Sequence, residues 1–182
     1  MVSARFISGG SAIAVGGLLV ALAGCGSHTA HATATEVIEA SRAHYYSSVT
    51  ELGRDSTLVA MIRPTGQTTV EQIGGIPFTI STVAVQRTIK GRSSSTTLRL
   101  RETGSNTTVG DVDPLVSKGR TYVAFMQPFE LTPGKATGQW VLTGAGAGLF
   151  SLTGSTMTKL DPESPQIPST LSADMVASGL RP

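Results

Sequence analysis

Cys25 is the only cysteine in the 182 residues of this chain. One thiol closes no internal disulfide, so the fold must stand on packed side chains alone. Small exported domains often rely on disulfide staples, and that route is closed here. Residues 25–182 are long enough for one domain with a real core.

Arg5 is the only charged side chain before Glu36. Ile7 to Ala23 is a run of apolar and small residues, with Ile7, Ile13, Val15, Leu18, Leu19, Val20 and Leu22 among glycines and alanines. A positive start, an apolar middle and a small-residue exit are the layout of a secretory signal. The run is shorter than the roughly 20 residues of a membrane-spanning helix, and Gly9, Gly10, Gly16 and Gly17 weaken it as a helix. It closes on Leu22-Ala23-Gly24-Cys25, which resembles the lipobox of bacterial lipoproteins. The resemblance implies that residues 1–24 are removed and that Cys25 is fatty-acylated, as with palmitate, to hold the protein on the outer side of the cell membrane. The alternative is a free cysteine inside an ordinary signal peptide. Acylation would consume the thiol and leave none for redox or metal chemistry.

The 14 basic and 12 acidic side chains nearly balance. That argues against strong field-driven binding to nucleic acid or acidic polymers. Aromatic residues are few while Gly, Ser and Thr are abundant, which suits a β-rich domain with many turns.

Residues 25–35 are small and polar and read as a flexible tether. His28 and His31 lie within it. They are read as solvated, because no third ligand lies nearby in sequence. Glu36 to Tyr46 reads as a short helix, and Ser48 with Glu51 has the spacing of a capping box before a further helical turn. From Ser56 the period changes. Thr57 to Ile62 is a strand buried on both faces, ended by Arg63-Pro64-Thr65-Gly66, and Gln67 to Gly75 is a polar loop.

Ile76 to Lys90 is the longest strand. Its apolar residues change parity between Ile80 and Val83, which predicts a bulge or sharp bend near Ser81-Thr82. Ser95 to Glu102 follows, with Leu98 and Leu100 on one face and Arg99 and Arg101 on the other. Thr103 to Pro114 is a loop. Arg120 to Gln127 is a strand stopped by Pro128, and Gln139 to Thr143 another, with a flexible glycine-rich turn at Gly144 to Gly148. Leu149 to Leu152 and Thr156 to Leu160 form a hairpin about Gly154. Residues 36–160 are therefore expected to form the β domain. Residues 161–182 are expected to be a Pro-rich connector with a short terminal helix.

Six or seven short strands between turn signals predict a mainly β fold, a small OB-like antiparallel barrel or sandwich with a short N-terminal helix. The order of Ser56-Thr57-Leu58-Val59-Ala60, Thr88-Ile89-Lys90-Gly91 and Gly119-Arg120-Thr121-Tyr122-Val123-Ala124-Phe125 resembles small exported OB-type barrels. It is similar to netrin-like modules, which include metalloproteinase inhibitors, and to lipoproteins of high-GC Gram-positive bacteria. Netrin-like inhibitors work through a free N-terminal cysteine and a disulfide framework. Cys25 has no partner cysteine, so the resemblance implies a fold and not inhibition.

The chain has no Gly-x-Ser-x-Gly, His-Glu-x-x-His, Ser-x-x-Lys or Walker loop. The expectation is a non-enzymatic module without cofactor or metal. It would be held to the membrane by lipid on Cys25 and would meet an anionic envelope polymer or another envelope protein. Arg87, Lys90, Arg92, Arg99 and Arg101 fall on two strands and their turn, and are expected to form an exposed basic surface. Stacking aromatics are missing among them, so nucleic acid is not expected as a partner. The competing reading is an envelope enzyme built on His44 or on the loop holding Asp111 and Asp113. It would require His44 against a carboxylate and a nucleophilic Ser or Thr.

Overall fold

A computed structural model describes residues 36–38, 44–110 and 112–180. The leader, the tether, Cys25, His28, His31 and Asp111 lie outside the described residues. Among the described residues, ten strands and two α-helices follow in order. They are β1 (Glu36–Ile38), α1 (Val49–Asp55), β2 (Leu58–Ile73), β3 (Ile76–Lys90), β4 (Thr97–Thr103), β5 (Thr108–Gly110), β6 (Thr121–Thr132) and β7 (Lys135–Leu142), then β8 (Leu149–Thr153), β9 (Thr156–Lys159), β10 (Thr170–Ser172) and α2 (Ala173–Gly179).

The chain is mainly β. Pairings run β2–β3–β4–β7–β6 and back to β2. One edge of β6 pairs first with β8, over Thr121–Ala124, and then with β7 from Met126 onward. The sheet therefore curls like a barrel but opens at β6, where β8, β9 and β10 fan away. β4 and β7 run parallel, so the sheet is mixed rather than wholly antiparallel. β1 pairs separately with β5, also in parallel.

Period-2 alternation explains the layers. Leu58, Ala60 and Ile62 of β2 join Tyr122, Ala124 and Met126 of β6, Leu98 and Leu100 of β4, and Leu142 in one core inside the curl. Val59 of β2 with Val123 and Phe125 of β6 face the other way. There they pack with Leu52 of α1, Phe150, Met157, Ile167 and Val176 of α2. β2 and β6 are thus buried on both faces, as expected for Thr57–Ile62. The expected single core is two cores, divided by the sheet. Residues 161–180 are not a separate connector, because Ile167, Ala173 and Val176 are buried in the second core and β10 pairs with β9.

Several elements differ from expectation. Glu36–Ile38 is a strand, because its β-branched residues align with Thr108–Gly110. α1 begins as the capping-box spacing predicts, with the Glu51 amide donating to Ser48 Oγ at 3.1 Å. Glu51's own carboxylate accepts from the Ser47 amide, one residue earlier than a capping box would have it. The Gln67–Gly75 loop is instead the outer half of β2, turning into β3 through Gly74 and Gly75, both at positive φ.

The β2–β3 irregularity lies at the predicted level, but the extra length is in β2, where residues 65–67 stand opposite Thr82 alone. Pro64 and Pro128 do not stop their strands. β2 pairs with β6 only as far as Ile62, and β6 pairs with β2 only as far as Met126. Each proline sits where its strand has lost one neighbour and beside a register shift, the places where a missing N–H is tolerated.

The glycine-rich turn is a buried 3-10 turn, Ala145–Gly148, with Gly146, Ala147 and Gly148 all buried. Ala145 holds φ at 53°, a left-handed conformation that strains a residue with a Cβ. Ala145→Gly should raise stability by roughly 1 kcal/mol, read as a higher urea midpoint at unchanged slope.

Candidate functional site

β4 puts Leu98, Leu100 and Glu102 inside the curl and Arg99 and Arg101 outside it, as its alternation predicts. The outer side is not open. The far arm of β2 places Glu71 opposite Phe78, and β6 beyond Pro128 brings Phe129. Arg101 lies beneath them with its side chain only 3% exposed. Its guanidinium is 4.8 Å from the Phe78 ring centre and 4.4 Å from that of Phe129, within cation–π range on both. Nε donates to Gln139 Oε1 at 2.7 Å, and Nη2 is ion-paired with Glu71 Oε2. Nη1 is buried with no hydrogen-bond partner.

Arg99, half exposed, reaches Glu71 Oε1 at 3.3 Å. Gln139 Nε2 donates to both Glu71 oxygens, at 3.2 and 3.4 Å. The site therefore brings together two arginines, one amide, one carboxylate and two rings from five strands. Glu71, Phe78, Phe129 and Gln139 were not singled out by sequence reasoning.

The expected basic surface is split. Arg99 pairs with Thr82 and Arg101 with Ile80. Arg87 lies five residues further along β3 than Thr82, roughly 17 Å away at strand rise. Arg87 and Arg92 are exposed, but Arg101 is buried, because the extended β2 arm covers it with Glu71. Lys90 is committed elsewhere. Its Nζ donates to the carbonyls of Gly53, Arg54 and Ser56 at 2.6, 3.1 and 2.8 Å. It thereby closes the C-terminal end of α1, where a cation is favoured.

Glu102 faces inward and neutralises no arginine. It is fully buried, accepting from Ser81 Oγ and from the Val116 amide, both at 2.7 Å. Loss of hydration pushes its carboxyl up to about 7, against those two hydrogen bonds, with nearby Asp113 adding to the rise.

His44 meets a carboxylate and a hydroxyl, but in the wrong order for a triad. His44 Nε2 and Glu51 Oε1 are 3.1 Å apart, and Ser47 Oγ donates to Glu51 Oε2 at 2.7 Å. The serine proton points at the carboxylate rather than the imidazole, so the base that would activate it is not in line. The Ser47 amide and hydroxyl, with His44, hold Glu51 down to about 2, which makes it a poor general base at neutral pH. Asp113 is buried, and its Oδ2 accepts from the Thr103 amide at 2.6 Å. It ties its loop to β4.

No protein-family model and no curated protein sequence matches the chain. Among the described residues no helix is long and apolar enough to cross a membrane, and no group of His, Cys, Asp and Glu has the placement to hold a metal ion.

Proposed function

We propose that the protein is a lipid-anchored binding or interaction module of the cell envelope, outside the cytoplasm, without catalytic chemistry of its own. The observation that carries this reading is Leu22-Ala23-Gly24-Cys25 at the end of the apolar leader, with the chain's one cysteine at its close. Two features of the folded part support it. The curled sheet is filled with side chains from its strands, and Glu51 stands between Ser47 and His44, which removes the nearest nucleophile–base pair.

One acyl chain gives only marginal, reversible membrane binding, whereas two hold firmly. Diacylation at Cys25 would therefore keep the domain at the surface and let weak contacts with envelope material be occupied. The expected result is that labelled palmitate enters the wild-type chain in cells, while Cys25→Ser takes up none and leaves the membrane fraction or stays unprocessed. Equal incorporation into both would overturn the reading.

A further inference from the structure

The Arg101 site has a mismatch between donors and acceptors. Glu71 offers two oxygens, and both are in use. Oε1 takes Arg99 and Gln139, and Oε2 takes Arg101 Nη2 with a second, longer contact from Gln139. Arg101 Nη1 is still without an acceptor. Burying a guanidinium nitrogen with no partner is costly, and the Phe78 and Phe129 rings that flank the guanidinium offer it no acceptor oxygen. Charge is also unmatched, since two arginines face one carboxylate.

A group with a third oxygen and a second negative charge would meet both deficits. Phosphate has both, and arginine forks suit it. Glu71 is 37% exposed at the outer half of β2, so it reaches water with little further desolvation to undo. We propose that Arg99 and Arg101 form a subsite for a phosphate oxyanion, and that Glu71 occupies this subsite in the free protein as an internal competitor. The source of the phosphate, a lipid headgroup or a free or polymer-borne phosphate, rests on the envelope reading above. The subsite itself does not.

The deciding experiment titrates inorganic phosphate into the full chain carrying Cys25→Ser, following the backbone amide resonances of β4, which all the variants retain. Glu71→Gln removes the competing charge and should tighten binding about tenfold, while Arg99→Gln should weaken it several-fold. Arg101→Lys should abolish it, because an ammonium neither stacks between two rings nor offers a fork. Arg99 is half exposed, so Arg99→Gln folds and decides the question even if Arg101→Lys melts early. Phosphate affinity equal in wild type, Glu71→Gln and Arg99→Gln overturns the subsite.

A second arm compares phosphatidate vesicles, whose phosphomonoester headgroup has three terminal oxygens and a second charge, with phosphatidylglycerol vesicles. Preference for phosphatidate that Arg99→Gln reduces and Glu71→Gln increases supports a headgroup source. Phosphate binding that follows the variants without any vesicle preference supports the subsite and assigns it to a phosphate other than the headgroup. A vesicle preference untouched by either variant, with phosphate affinity equally untouched, overturns the subsite while leaving the envelope reading standing.

Discussion

Replacing Glu102 by Gln should leave stability unchanged near pH 4 and raise it by about 3 kcal/mol above about pH 8. The carboxyl is wholly buried at one end of the curled sheet, and its ionisation is pushed up to about 7. An unfolded glutamate ionises near 4.5. Below that value both states hold the proton and Glu102 costs nothing. As pH rises toward 7 the unfolded chain releases the proton and the folded one retains it. Unfolding is favoured across that window, and the loss is complete once the folded state ionises too.

Glutamine keeps an oxygen for the Val116 amide and an N–H₂ to meet Ser81 Oγ, which accepts as readily as it donates. It carries no charge, so its curve should be flat through the window. Urea unfolding of both proteins at several pH values checks this. Glu51 works in the opposite sense and at lower pH. Its carboxyl is held down to about 2, so its contribution is present above about 4.5 and lost as pH falls from there toward 2. The two windows do not overlap. Wild-type stability should therefore peak near pH 4 to 5 as far as these two groups decide it. A slope of the same size in Glu102→Gln above pH 5 would refute the assignment.

What was legible in the sequence was whatever two neighbouring strands dictate. Alternation placed Leu98 and Leu100 opposite Arg99 and Arg101, and the unbroken apolar run of Thr57–Ile62 foretold a strand buried on both sides. What failed turned on two prolines. Pro64 and Pro128 read as strand ends because a central strand cannot spare an N–H. Sequence cannot say where a strand loses a neighbour, and both prolines lie just past that point. The arms beyond them carry Glu71 and Phe129, so the same misreading that shortened β2 and β6 also hid the roof of the Arg101 site. Five cations without matching acids were expected to be exposed. Glu71, placed in a loop by that reading, is the acid that permits one of them to be buried. The expectation for the leader and Cys25 rests on resemblance alone and concerns residues outside those described.

Gly148→Ala should destabilise the protein by about 2 to 3 kcal/mol, although it adds only a single methyl group. Gly148 ends the 3-10 turn that joins β7 to β8. A Cβ there would lie 2.6 Å from the Thr143 carbonyl oxygen and 2.9 Å from that of Phe125, whereas even close C···O contacts run at about 3.3 Å. Both obstacles are backbone, so neither can rotate aside. They are also tied to each other, since the Thr143 amide donates to the Phe125 carbonyl at 2.9 Å. Relief therefore requires moving the turn away from β6, which loosens Ala147 from its place beside Phe125 and Phe150 in the second core. Gly179→Ala is the control. It sits at the end of α2 with nothing within 4 Å of a built Cβ, and should be neutral or stabilise by a few tenths of a kcal/mol. Urea midpoints of the two variants against wild type decide the matter. If Gly148→Ala unfolds at the wild-type midpoint, the close approach of Gly148 to the Thr143 and Phe125 carbonyls is not a feature of the folded chain.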